Sequence, residues 1–216
     1  MARIVFDLDG TLIDSLPDIH ALMNRVIAPL DLPPLTLETV KGFVGRGAPV
    51  GIARLRAHFG LPESQQEPLL SAFLDIYETG TDLTRPYPGV VSALEQLQQQ
   101  GHRLGICTNK PLAPTRAVLA HLDLARHFET VIGGDSLTVR KPDPAPLDAA
   151  FADLGDSAPI YVGDSETDAE TAVAAQVPFL FFTEGYRVAS VDQIPHARAF
   201  RNWADLPKLV GFHLAH

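Results

Sequence analysis

Cysteine is nearly absent from the sequence: Cys107 is the single one in 216 residues. No intramolecular disulfide can brace the fold, and nothing points to an oxidising compartment. Positive charge is also scarce, with 17 Lys and Arg against 26 Asp and Glu, a formal net charge of −9. Phosphate backbones reward clustered Lys and Arg, so this balance argues against a nucleic-acid surface, and its sign disfavours anionic membranes. A small anionic substrate stays open, because a bound metal or a local cation can reverse the field inside a pocket. No segment approaches the ~20 apolar residues needed to span a bilayer. After Met1-Ala2-Arg3 the chain enters a strand-like run at once, without the apolar stretch of a leader, so a cytoplasmic location is expected. Several catalytic templates are missing too. There is no G-x-x-x-x-G-K-[ST] loop, no G-x-S-x-G elbow and no H-E-x-x-H, and the eight histidines form no ligand spacing.

What is present is an ordinary globular composition, 46% hydrophobic and 20% charged, in a chain long enough for one large domain or one domain with an insertion. Residues 3–8 read as a short buried strand, and further apolar runs recur at 102–107, 129–133, 158–163 and 177–182. Helical spacing fills the gaps: Val90, Ala93, Leu94 and Leu97 share one face, as do Leu147, Ala150, Phe151 and Leu154. Short strands alternating with amphipathic helices predict an α/β fold, a parallel sheet covered on both faces. Such sheets bind ligands beyond the carboxyl ends of their strands.

Residues 15–83 interrupt the alternation. Ile19, Leu22, Met23, Val26, Ile27 and Leu30 follow the i, i+3, i+4, i+7 template, and Leu69, Leu70, Phe73, Leu74 and Tyr77 repeat it. Shorter helices are expected over 36–44 and 48–59. The reading is a helical cap over 15–83 inserted into an α/β core of 1–14 and 84–216, with Pro86, Pro88 and Gly89 marking the return.

Four short segments carry candidate chemistry. The first strand ends Phe6-Asp7-Leu8-Asp9-Gly10-Thr11, and strand alternation directs Asp7 and Asp9 to one side. Two buried carboxylates that close need a cation between them or a proton on one. One could then attack phosphorus while the other donates a proton. A solvated Asp-Gly turn is the plain alternative. Ile106-Cys107-Thr108-Asn109-Lys110 closes another apolar run, and its hydroxyl and amide can donate to phosphate oxygens or merely turn the chain. Cys107 reads as apolar filler. Arg140-Lys141-Pro142-Asp143-Pro144 offers a Pro-flanked ammonium aimed inward, or a surface lysine beside a turn. Gly163-Asp164-Ser165-Glu166-Thr167-Asp168 places two carboxylates around a helix start, suited to Mg²⁺, with Asp164 as a simple N-cap the alternative.

Taken in order, Asp-x-Asp-Gly-Thr, Thr-Asn, Lys-Pro and Gly-Asp-x-x-x-Asp resemble the haloacid dehalogenase superfamily of phosphatases over the whole chain. The resemblance implies a Rossmann-like core with an all-helical cap. It also implies Asp7 as the nucleophile and a Mg²⁺ ligand, and Asp9 as the acid and base that lends its backbone carbonyl to the metal. Thr108 and Lys141 would hold the phosphoryl group, with Asn109 beside them. Asp164 would ligate Mg²⁺ and Asp168 would support it directly or from behind. The longer runs Phe-Asp-Leu-Asp-Gly-Thr-Leu-Ile-Asp-Ser and Arg-Lys-Pro-Asp-Pro-Ala-Pro-Leu resemble the branch acting on 2-phosphoglycolate, a small phosphorylated metabolite. In the cap, Gly45-Arg46-Gly47 suggests close backbone approach, with Arg46 or Lys41 meeting the substrate carboxylate. Rival readings are a hexose-phosphate mutase on the same scaffold, another small-metabolite phosphatase, or a non-catalytic binding protein. The motifs leave oligomeric state open.

Overall fold

The computed structural model describes residues 1–214. The chain starts with β1 (Ala2–Phe6) and β2 (Ile13–Asp14), then runs through four helices: α1 (Leu16–Ile27), α2 (Leu37–Lys41), α3 (Ala48–His58) and α4 (Gln66–Tyr77). It returns through β3 (Arg85–Pro86) and continues α5 (Val90–Gln99), β4 (Arg103–Cys107), α6 (Leu112–His121) and β5 (Thr130–Ile132). The remainder is α7 (Ala145–Asp153), β6 (Ala158–Gly163), α8 (Glu166–Ala175), β7 (Phe179–Phe182), β8 (Arg198–Phe200) and α9 (Leu206–Leu214). Among the described residues no helix is long and apolar enough to cross a membrane.

Six strands form one parallel sheet in the order β5-β4-β1-β6-β7-β8. The strands are near-continuous apolar runs because both faces are covered. Ile4 and Phe6 point to one face, where they meet α5, α6, α9 and Trp203. Val5 points to the other and packs with Leu147 and Phe151 of α7 and Ala169 of α8. Each large apolar side chain buried this way contributes about 1.5–3 kcal/mol. The chain leaves β1 toward β4 and β5 on one side, then returns to β6 on the other. The strand order therefore reverses at β1, and the crevice of such a sheet opens at that point.

Strand positions in the sheet follow the sequence reading closely, apart from the end of β1 and the edge strand β8; the two-residue strands β2 and β3 are not anticipated by it. β1 stops at Phe6 rather than residue 8, because Leu8 O accepts the N–H groups of Thr11, Leu12 and Ile13 and so curls the chain into a turn. Asp7 and Asp9 face the same region through that turn instead of through strand alternation. β8 gave no sequence signal: it has three residues, with Arg198 and Ala199 exposed at the sheet edge.

The four helices of residues 16–77 bury their own apolar set, including Ile19, Met23, Ile52, Leu55, Phe73 and Tyr77. Helices over 37–41 and 48–58 stand where 36–44 and 48–59 were expected. The two segments that enter and leave this helical region pair with each other, Ile13 with Pro86 and Asp14 with Arg85. A buried carboxylate fastens the same junction. Asp18 on α1 accepts from Leu83 N at 3.0 Å, Thr84 N at 2.7 Å and Thr84 Oγ1 at 2.5 Å. Hydrogen bonds to a charged group are worth more than neutral ones, and removing the acceptor leaves the buried Thr84 donors unsatisfied. Asp18→Ala is therefore expected to destabilise the protein by about 2–3 kcal/mol, seen as an earlier urea midpoint with an unchanged slope.

Candidate active site

Most functional side chains are supplied by loops after strand carboxyl ends. Asp7 follows β1, Thr108 and Asn109 follow β4, Asp164 follows β6, and Tyr186 follows β7. Lys141 comes from the loop between β5 and α7, and Asp168 from the first turn of α8. Gly10 is required here twice over. It adopts φ +86, and an added Cβ would sit 2.5 Å from Asp164 Oδ2. Gly163 lets Asp168 approach, since a Cβ there would meet the Asp168 carboxyl carbon at 2.5 Å.

Lys141 occupies the centre and is 3% exposed. Its Nζ lies 2.7 Å from Asp168 Oδ1, 2.8 Å from Tyr161 OH and 2.9 Å from Asp7 Oδ1. Tyr161 in turn donates to Asp168 Oδ1 at 2.7 Å. The other Asp168 oxygen accepts from Asp164 N, Ser165 N and Ser165 Oγ, the last at 2.6 Å. Ser165 caps α8 in a reciprocal box with Asp168, so the helix cap is Ser165 and not Asp164. Asp164, freed from capping, receives Thr11 Oγ1 and Tyr186 N, each at 2.6 Å. The Asp9 carboxylate receives Ser15 Oγ at 2.5 Å and the Lys110 ammonium at 3.3 Å.

The charges are consequently unequal in character. Burial works against ionising Asp168, but the Lys141 ammonium and the surrounding hydrogen bonds hold its carboxyl below the usual range. Burial pushes Asp7 up to about 7, with the Asp168 charge adding to the rise and Lys141 opposing it. Burial and the two neighbouring carboxylates raise Asp164 well above its ordinary value. Lys141 stays charged because Asp168 and Asp7 outweigh its desolvation. The Cys107 thiol is pushed up to about 12 by burial, which suits an inert core residue.

The donor set fits a hard divalent cation. Asp7, Asp164 and Asp168 each offer one carboxylate oxygen, all within 4.8 Å of one another. Asp7 Oδ1 is buried with no hydrogen-bond partner; its contact with Lys141 is a close ion pair without hydrogen-bond alignment. Every oxygen of Asp164 and Asp168 already accepts from the protein, but Asp168 Oδ1 also carries the Lys141 ammonium, so Asp7 and Asp164 are better placed to face an ion, with Asp168 fixing the loop behind them.

Asp7 and Asp9 border two cavities. An outer one of about 300 Å³ is lined by Asp164 and Arg46, and an inner one of about 40 Å³ by Thr108, Asn109, Lys110 and residues of the helical segment. Thr108 and Asn109 are buried. Asn109 Nδ2 donates to Gly45 O at 3.2 Å and to Lys141 O at 3.0 Å, so the Gly45–Gly47 loop does approach through its backbone. The Arg46 side chain instead turns outward, reaching Glu170 at 3.4 Å with both side chains about half exposed. Lys41 is not brought to the carboxylates. It ends α2 and lines a separate cleft of about 1250 Å³ beside Arg201 and Lys208, because the last turn of that helix directs it away from the Gly45 loop. Sequence reasoning missed Lys110, Tyr77, Tyr161, Thr11, Ser15 and Tyr186. Lys110 had a usable signal in its place directly after Thr108-Asn109, and Thr11 in closing the Asp-x-Asp-Gly-Thr run.

Residues 4–182 match the family model of haloacid dehalogenase-like hydrolases. The chain belongs to that family. Relatives bearing the name phosphoglycolate phosphatase include one from Cereibacter sphaeroides, 46% identical over 97% of this chain and 98% of its own. Another, from Rhodobacter capsulatus, is 43% identical over 96% and 95%. The crystal structure of a predicted phosphoglycolate phosphatase from Haemophilus somnus superimposes with a TM-score of 0.89 at 30% identity, covering 96% of this chain and 97% of that one. The chain is thus a hydrolase of this family, and apart from Tyr186 its site residues lie within the matched segment.

A proton on Asp7 and a cation at the same oxygens exclude each other, so a divalent cation held there would bind more weakly as pH falls through about 7. The rise in melting temperature produced by Mg²⁺ over EDTA should be larger at pH 8 than at pH 6. Taking the difference at each pH removes the contribution of His102 and His127, whose pKa burial lowers.

Proposed function

We propose that this hydrolase is a Mg²⁺-dependent phosphomonoester phosphatase that works through a phosphorylated Asp7, with 2-phosphoglycolate as its substrate. The observation that carries the reading is the buried Asp7 carboxylate set between the Lys141 ammonium, 2.9 Å from Oδ1, and the Asp164 carboxylate, with Asp9 and Thr108 lining the adjoining pocket.

In the first step an Asp7 oxygen attacks phosphorus and the bond to the ester oxygen breaks. Asp9 delivers a proton to that leaving oxygen. In the second, Asp9 takes a proton from water, the water oxygen attacks phosphorus, and the Asp7 carboxylate leaves as phosphate departs. Thr108 and Lys141 supply donors and charge to the equatorial oxygens, which carry most of the transition-state charge. Mg²⁺ held by Asp7, Asp164 and the Asp9 backbone carbonyl, with Asp168 behind, would neutralise charge on the transferring group. Ser15 keeps the Asp9 carboxyl oriented. The helical segment 15–83 acts as a cap that keeps bulk water from the reacting group.

The substrate assignment rests on the relatives' shared name and on the pocket. The inner space is narrow, about 40 Å³ and walled by Ile19, Met23, Phe43 and Phe73, which favours a small leaving group on that side. Phosphate release from a panel of esters is the test, with Mg²⁺ or EDTA and with Asp7→Asn beside the wild type. Release should depend on Mg²⁺, prefer 2-phosphoglycolate and fall by roughly 10³-fold or more in the variant. Preference for another ester would remove the substrate and keep the mechanism.

A further inference from the structure

We propose that Lys110, from the core, is the residue that recognises the carboxylate of the leaving group. The inference rests on the phosphatase reading and supplies the specificity that the cap side chains Arg46 and Lys41 do not. Three observations converge. Among the described residues lining the inner pocket, Lys110 is the one cation; the others on that side are apolar residues of α1, α3 and α4 and the loop between α2 and α3. The ammonium lies 3.3 Å from Asp9 Oδ1, beside the group that meets the ester oxygen. In a two-carbon hydroxy acid the carboxylate is separated from that oxygen by one methylene, so a substrate whose ester oxygen faces Asp9 presents its carboxylate to the same corner.

The third observation is the state of the ammonium itself. The Lys110 side chain is 5% exposed, so water cannot solvate it, yet it has three N–H donors to satisfy. One goes to Tyr77 OH at 2.8 Å, and a second is directed at the Asp9 oxygen that Ser15 also occupies. The third has no protein acceptor among the described hydrogen bonds. The Tyr77 ring sits 4.1 Å from the nitrogen, which supports a cation but does not neutralise it. A small carboxylate fills that vacant coordination, whereas an alkyl leaving group leaves a buried donor unpaired. Tyr77 comes from α4, so the same ammonium joins the helical segment to the core, and recognition and closure share one group.

Arg46 is placed differently. It lines the outer cavity, pairs with Glu170 and is about half exposed, where an added charge is well screened.

The test compares 2-phosphoglycolate with ethyl phosphate, which has the same two carbons and no carboxylate. The ratio of kcat/KM for the two esters is measured in wild type, Lys110→Met and Arg46→Ala. Any loss of folded protein cancels within each variant's ratio, and so does the intrinsic reactivity of the esters when variants are compared. Loss of one charge-assisted hydrogen bond should lower the ratio by roughly 10- to 100-fold in Lys110→Met, mostly through KM for 2-phosphoglycolate. A Lys110→Met enzyme that keeps the wild-type ratio overturns the assignment and leaves the substrate reading intact. A ratio that collapses in Arg46→Ala but not in Lys110→Met moves recognition to the cap loop and overturns it as well. A wild type that does not prefer 2-phosphoglycolate over ethyl phosphate removes the substrate reading itself.

Discussion

The structure is organised around one buried ammonium. Lys141 sits between Asp7 and Asp168, and no water reaches it. Without it, three carboxylates would share a site near the switch point of the sheet with nothing to balance them, and the repulsion between them would be strong at low effective dielectric. The arrangement is asymmetric by construction. Asp168 is saturated by Lys141, Tyr161 and Ser165, so it stays charged and still. Asp7 has only the Lys141 ammonium as a side-chain partner among the described contacts, and a carboxylate so lightly held is what a nucleophile or a metal ligand needs. Pairing one carboxylate completely is what leaves the other available.

The second constraint is how the helical segment is held over this centre. Several of its polar contacts with the core end on residues of the site. Asn109 reaches Gly45, Lys110 reaches Tyr77, and Tyr186 OH accepts from Ser15 N and Leu16 N at the start of α1 while donating to Asp14. The strand carboxyl ends therefore serve two purposes. The loops that carry chemistry also grip the segment that covers it, so a change in what occupies the pocket acts directly on those contacts. Asp18 and the paired segments β2 and β3 fasten the junction through which the chain enters and leaves the helices.

Much of this was legible in the sequence, for physical reasons. Parallel strands buried on both faces read as unbroken apolar runs, so β1, β4, β6 and β7 stand out, while the three-residue edge strand β8 does not. Asp7, Asp9, Asp164 and Asp168 could be singled out because acids directly after apolar runs are unusual. What adjacency conceals is partnership. Lys141 and Asp168 are 27 positions apart and meet only because β6 brings α8 beside the loop. Tyr161 reads as a strand core residue, and its hydroxyl acquires a role only when Lys141 is next to it. Lys110 looks like a surface lysine until Tyr77 of α4 closes over it. Arg46 suggested a cationic cap because it stands between two glycines, and Lys41 because it is near them, but Lys41 lines a separate cleft and Arg46 pairs with Glu170 at the outer cavity, so neither lines the inner pocket.

The central claim is that Asp7 takes the phosphoryl group. It is tested most directly by mixing enzyme with ³²P-labelled 2-phosphoglycolate and Mg²⁺, quenching in acid during the first turnovers, and mapping the label by peptide. The account predicts acid-stable, alkali-labile label on the peptide containing Asp7, present in wild type and missing from Asp7→Asn. Phosphate release at the wild-type rate by Asp7→Asn, with no label on the Asp7 peptide of either protein, would contradict it.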